Sequence, residues 1–264
     1  MKSLIIAIVA LVILSSCEKV VELDLNSADP KLVVEGLINN EAGPYVVNLT
    51  YTTNFFNPDK IPAVMGASVI VSDDAGQVDT FAEIEDGVYM SGHLQGIEGR
   101  TYFLNVIVDG TTYSAESYLP FERPIDSVLS EKIKFPGTPA HAPKFYLIST
   151  YFTDTVNVVN HYRFRTYLNG VVIDDISLLN DELNDGESMS LQQFTADFKK
   201  NDTISIELCS IDEKVYTYYS TLADVMNTNP MSTSAPANPI SNISNGALGY
   251  FGALSSSKMT IVLK

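Results

Sequence analysis

Apolar and polar residues alternate along much of the chain, which is the pattern of β-strands with one buried face. Clear examples are residues 45–51, 67–72 and 102–108. An Asp109-Gly110 pair follows the third example, and an Asn169-Gly170 pair follows another alternating run. Both pairs are typical of tight hairpin turns, because their residues tolerate positive φ angles. The pattern therefore predicts a mainly β protein.

Two prolines in residues 119–124 (LPFERP) suggest a boundary between two domains. Proline interrupts strand pairing and stiffens the chain. We therefore predict two antiparallel β-sandwich-like domains. Residues 31–119 would form an immunoglobulin-like or transthyretin-like sandwich, and residues 125–264 would form a second β-rich domain.

One helix is predicted in the second domain, over about residues 211–227. Ser210 and Glu213 have the spacing of a capping box. Apolar residues then recur at helical spacing, and the pattern stops near Asn227, ahead of Pro230.

The N-terminus resembles a bacterial lipoprotein signal. A short basic start precedes the apolar residues 4–14, a run too short to span a bilayer but of the length of a signal-peptide core. Residues 14–17 (LSSC) resemble the lipobox, whose cysteine is lipidated and becomes the first residue of the mature protein. We therefore predict a signal peptide over residues 1–16, a lipid anchor on Cys17 and a polar tether over residues 17–30. A plain signal peptide and a membrane-anchoring helix are the alternatives.

Composition narrows the range of partners. The chain of 264 residues carries a formal net charge of −16. This balance argues against nucleic acid, because neutralising phosphates requires clustered Lys and Arg. The only other cysteine, Cys209, is predicted to be a partly buried structural thiol, since no nearby pattern indicates activation.

Metal-binding patterns are weak. The three histidines (His93, His141 and His161) show no zinc-ligand spacing, so we expect surface residues rather than ligands. Residues 181–187 form an acidic loop in which Asp181, Asp185 and Glu187 are calcium candidates. A solvated acidic loop without metal is the alternative, since the spacing of a calcium loop is missing.

Patterns for catalysis or cofactor binding are also missing. The chain has no nucleophile elbow and no phosphate-binding glycine loop, so we expect no cofactor and no enzymatic activity. A hydrolase that uses an unrecognised pair of carboxylates is the least favoured reading. An aromatic loop containing Phe55 and Phe56 is a candidate ligand contact.

Several segments resemble a Bacteroidota lipoprotein family, domain of unknown function 4249. Near the N-terminus these are residues 17–19 (CEK), 23–26 (LDLN) and 30–36 (PKLVVEG). Near the C-terminus they are Asp212-Glu213 with Tyr216 and Tyr219, residues 229–230 (NP), 241–243 (SNI) and 249–253 (GYFGA). Residues 244–248 (SNGAL) depart from the tighter glycine-rich segment that the resemblance leads us to expect.

The resemblance implies a lipid-anchored outer-membrane protein, on the cell surface or on the periplasmic face. Such proteins are often encoded beside TonB-dependent receptors, so it implies a non-enzymatic accessory or binding partner of such a receptor in nutrient uptake. A structural or adhesive cell-surface module is the alternative.

Replacing the cysteine of the lipobox tests the anchor. We expect Cys17→Ser to abolish processing and lipidation, because serine cannot form the thioether to the lipid. The measurements are the intact mass and the partition of the protein between membrane and soluble fractions. Cys209→Ser is the matched control and should be processed normally. A Cys17→Ser protein that stays membrane-bound and processed as before would contradict the lipidation of Cys17.

Overall fold

A computed structural model describes residues 29–53, 61–133, 137, 145–196, 198–226 and 238–264. The strands of the first half are β1 (Leu32–Asn39), β2 (Val46–Tyr51), β3 (Ser68–Asp73), β4 (Val78–Glu85), β5 (Val88–Met90), β6 (Thr101–Val108) and β7 (Thr111–Tyr118). Those of the second half are β8 (Ile125–Ile133), β9 (Phe145–Thr153), β10 (His161–Leu168), β11 (Val171–Asn180), β12 (Ser188–Ala196), β13 (Thr203–Ile211) and β14 (Leu248–Val262). A single described helix, α1 (Glu213–Met226), lies between β13 and β14.

The mainly β prediction is confirmed, as is the helix near the C-terminus. The strands form an eleven-stranded sheet in the order β11-β10-β13-β14-β1-β2-β5-β4-β3-β6-β7, and a three-stranded sheet in the order β12-β9-β8. Both predicted hairpin turns are present: Asp109 and Gly110 have φ angles of 49° and 79°, and Asn169 and Gly170 have 49° and 87°.

Two of the three hydrophobic clusters among the described residues follow from the alternation in the strands. The first collects inward residues of β1 to β7, such as Val34, Leu49 and Leu104. The second joins the three-stranded sheet to β10 and β13, through residues such as Phe152 and Phe164. The first core also contains Phe251 and Ala253 of β14, so the last strand contributes to the packing of the N-terminal half. The domain boundary at residues 119–125 stays a prediction, and the large sheet runs across it.

Strand β14 differs from the predicted antiparallel arrangement, because it pairs with β1 in parallel. Val34 lies opposite Gly249, and Gly36 lies opposite Phe251. A Cβ on Gly249 would come within 2.0 Å of the Val34 carbonyl oxygen, and a Cβ on Gly36 would come within 3.1 Å of the Phe251 ring. The close approach therefore requires glycine at position 249, and a Cβ at position 36 would require the Phe251 ring to shift slightly.

Helix α1 begins later than predicted and has a different cap. Ser210 and Ile211 are still paired within β13, so Ser210 is not the cap. The Asp212 carboxylate takes that role and accepts a hydrogen bond from the Val215 amide at 2.8 Å. The helix covers the face of β13 that carries Cys209, whose exposure falls to 1 %. The thiol is thus more deeply buried than the strand pattern alone predicted.

Among the described residues, no helix is both long enough and apolar enough to cross a bilayer.

Substituting Gly249 tests the close approach of β1 and β14. We expect Gly249→Ala to lower the free energy of unfolding by about 3 kcal/mol, because the new Cβ would meet the backbone of Val34 at a residue with positive φ. Gly246→Ala is the matched control: its φ is also positive, at +70°, but a Cβ there meets nothing within 4 Å. That variant should lose about 1 kcal/mol. Denaturant unfolding measures both, and equal losses would contradict a steric role for Gly249.

Candidate binding groove and acidic loop cluster

A groove runs between the β6–β7 hairpin and the start of α1. Pairing of Phe103 with Glu116 and of Asn105 with Ser114 places these four side chains on one face of the hairpin. The first turns of α1 and residues 240–244 form the walls. The main cavity has a volume of about 710 Å³, which is within the range of small-ligand sites.

A second cavity of about 470 Å³ adjoins the first. Four residues line both cavities: Phe103, Glu116, Glu213 and Lys214. Lys214 donates a hydrogen bond of 2.6 Å to Glu116, and both side chains are about half exposed. We call the two cavities together the β7 groove, because the shared residues make it one elongated feature.

Most polar groups in the walls of the β7 groove hold the fold together. Asp212 caps α1 and also accepts hydrogen bonds from the Ser117 hydroxyl at 2.6 Å and the Tyr118 amide at 2.9 Å. The Asn242 side chain donates to the Phe251 carbonyl and accepts from the Phe251 amide. Since these groups are already satisfied, they are structural rather than free to contact a ligand.

Few titratable side chains that line the β7 groove are available for proton transfer. Glu116 is paired with Lys214, while Glu213 is exposed at the start of the helix. Neither histidine nor cysteine is among the described residues of its lining. The arrangement offers a hydrophobic ring, an ion pair and a free carboxylate, which suit binding better than acid–base catalysis.

The acidic loop predicted at residues 181–187 contributes two carboxylates to a cluster of three. Carboxylate oxygens of Asp154, Asp181 and Asp185 all lie within 4.8 Å of one another. Asp154 and Asp181 are only 5 % and 3 % exposed. The β10–β11 hairpin causes this proximity, because it pairs His161 with Asn180 and so places the loop before β10 beside the loop after β11.

Hydrogen bonds fix each carboxylate of the cluster. Asp154 accepts from the Tyr162 hydroxyl and, at 2.9 Å, from the Gly186 amide. Asp181 accepts from the Asn160 amide at 2.8 Å. Burial, followed by the hydrogen bond to Asp154, raises the pKa of Tyr162 above its ordinary value, so the phenol stays a donor.

The structure thus brings together two of the three calcium candidates. Glu187 is exposed, and its backbone carbonyl accepts a hydrogen bond from the Asp154 amide at 3.0 Å. Asp154 was missed because it is distant in sequence, although its position directly after β9, in the loop that leads to β10, could have indicated it once the hairpin was recognised. Calcium binding by this region stays a prediction.

His93 and His161 are among the described residues, and neither lines the β7 groove or belongs to the three carboxylates. His93 has a side chain that is 71 % exposed and lies 3.6 Å from Asp79. The His161 ring packs against Tyr216, with centroids 4.7 Å apart. Cys17, Phe55, Phe56 and His141 lie outside the described residues.

Truncating Asp154 tests the structural role of the cluster. We expect Asp154→Ala to lower the free energy of unfolding by about 3 kcal/mol, because it leaves the Tyr162 hydroxyl and the Gly186 amide without an acceptor. Asp185→Ala is the matched control and removes an exposed acceptor of the Asn157 amide, for a loss of about 1 kcal/mol. Thermal unfolding followed by circular dichroism measures both. Equal losses would show that the buried hydrogen bonds do not dominate.

The sequence profile of a family described as "Domain of unknown function (DUF4249)" matches residues 18–260. Comparison with curated proteins gives no significant match. Because the profile covers most of the 264 residues, the chain belongs to the DUF4249 family.

Proposed function

We propose that this protein is a lipid-anchored outer-membrane protein that binds and assists a TonB-dependent receptor in nutrient uptake. It performs no reaction of its own in this role. It holds a partner or ligand close to the membrane, and the receptor carries out transport.

The signal at residues 14–17 is the observation that carries the proposal. The family match begins at residue 18, directly after Cys17. That start supports the reading of residues 1–16 as a segment removed from the mature protein. Two or three acyl chains on the cysteine anchor a protein stably, whereas a single chain binds a membrane only marginally.

The β7 groove supports a binding role. Its lining combines the Phe103 ring, the Glu116–Lys214 ion pair and the exposed Glu213. The groove is formed by β6, β7 and the start of α1, and hydrogen bonds of Asp212 join β7 to the helix. Such a surface suits recognition of an elongated partner.

The receptor is proposed as the partner because of the resemblance described in the sequence analysis. The net charge of −16 also fits a partner with basic surface segments, since complementary charge speeds association. An acidic accessory protein held at the membrane would meet such a receptor at high local concentration.

Purification of the tagged protein from its native membranes tests this function. We expect a mild-detergent pull-down to recover one TonB-dependent receptor in near-equal amount, measured by quantitative mass spectrometry. Cys17→Ser serves as the control, because loss of the anchor should remove the receptor from the eluate. An outer-membrane protein recovered without any receptor would contradict the proposal and favour a free-standing surface module.

A further inference from the structure

We infer that the β7 groove binds an extended peptide segment of the partner, which pairs with the open edge of β7 at Glu116. The inference rests on the proposed function, because it names how that partner would be held. It concerns the chemistry of the occupant, namely a short β-strand that carries a basic side chain.

The position of β7 in the sheet makes its backbone available. It is the last strand of the eleven-stranded sheet and pairs with β6 on one side only. In an antiparallel pair, the backbone amide and carbonyl of successive residues alternate in direction. Those of one residue bond to the neighbouring strand, and those of the next residue face away from it. A residue whose backbone groups face away can therefore pair with a new strand.

Hydrogen bonds along β7 fix which residues point outward. The Ser244 amide donates to the Ser114 carbonyl at 2.8 Å, and the Ser114 amide donates to the Ser244 hydroxyl at 2.7 Å. The Tyr118 amide donates to Asp212. The backbone groups of Ser114 and Tyr118 both face away from β6. The alternation therefore places the backbone amide and carbonyl of Glu116 on the same open side.

Between Ser114 and Tyr118, the edge of β7 has a gap at Glu116, where the outward backbone groups have no partner among the described residues. Within the part of the chain that the structure describes, no group forms a hydrogen bond with its backbone amide or carbonyl. The residue is exposed and lines both cavities of the β7 groove. One strand residue placed there would satisfy both.

The ends of the gap limit the length of the occupant. Ser244 closes the edge at Ser114, and Asp212 closes it at Tyr118. These two positions are about 13 Å apart at the rise of an antiparallel strand. The gap therefore accepts an extended segment of about three residues, with the rest of the partner outside.

Side chains around the gap indicate the character of the segment. The half-buried Phe103 ring lies opposite Glu116 in the β6–β7 register and offers an apolar contact. Glu213 is exposed and lines both cavities, while Lys214 is engaged by Glu116. A segment with an apolar residue and a Lys or Arg would match this surface.

Photo-crosslinking in native membranes tests the inference on the full lipidated protein. Benzoylphenylalanine is placed at Thr217, on the helical wall of the groove, and at Val172 on the opposite edge strand β11 as the control position. We expect an adduct from Thr217 that mass spectrometry maps to an extended segment with a basic residue. No corresponding adduct should form from Val172.

Two substitutions of Glu116 separate backbone pairing from the ion pair. Glu116→Pro and Glu116→Ala both remove the contact with Lys214, but only proline removes the outward amide, which β6 does not use. We expect proline to reduce the adduct by about tenfold relative to alanine, as the loss of a hydrogen bond predicts. Equal yields from the two variants would overturn the inference.

Hydrogen exchange provides a readout that needs no variant and so does not depend on folding of the proline protein. Exchange in residues 111–118 should slow in the purified complex relative to the lipoprotein alone. Unchanged exchange would overturn strand addition, as would an adduct that contains glycan or lipid instead of peptide.

The crosslinked partner distinguishes this inference from the proposed function. A proline-sensitive adduct with a TonB-dependent receptor supports both. A proline-sensitive adduct with an extended segment of another protein supports the groove but contradicts the receptor role. A receptor that co-purifies without any groove adduct supports the receptor role and overturns peptide binding in the groove.

Discussion

The parallel pairing of β1 with β14 is the interaction on which the rest of the structure depends. These strands come from opposite ends of the chain, and their contact places C-terminal residues inside the N-terminal core. The Phe251 side chain is fully buried there, next to Gly36, where any larger residue would displace the ring. Loss of this pairing would expose both cores at once, because β14 also pairs with β13 along its other edge.

The same pairing positions the β7 groove. Strand β14 lies close to β7, and the Ala253 amide donates a hydrogen bond of 2.8 Å to the Ser117 hydroxyl. Ser117 donates in turn to Asp212, which begins α1. The edge of β7 and the first turn of the helix are thus held at a fixed separation by a continuous set of hydrogen bonds. A groove built on such a frame needs little ordering when a partner binds, which favours affinity.

Local patterns in the sequence correctly predicted the hairpin turns, which depend only on the residues at the turn. The Asp109-Gly110 and Asn169-Gly170 turns were correct, because positive φ restricts such positions to a few residue types. The cap of α1 was misplaced, since Ser210 was already committed to strand pairing with β14. The cluster around Asp154 and the parallel pairing of strand β14 with β1 were not predicted, because both depend on contacts between distant parts of the chain. Alternation does not mark residues 251–255, which are buried without interruption between two strands and the helix.

Among the described residues, the segments that carry the family resemblance meet around the β1–β14 pair, which we call the junction. Residues 32–36 and 249–253 are the two halves of the β1–β14 pair, and Asn242 holds the backbone of Phe251 from the side. Asp212 joins α1 to β7. Their chemistry is therefore explained by packing and hydrogen bonding, and it requires no catalytic role. Within the described part of the chain, these contacts leave the outward backbone groups of Glu116 unpaired beside the exposed Glu213, and we assign recognition of the peptide to this position. A short edge closed at both ends also avoids the uncontrolled strand pairing that a long open edge would invite, so the geometry admits a specific peptide while it limits aggregation.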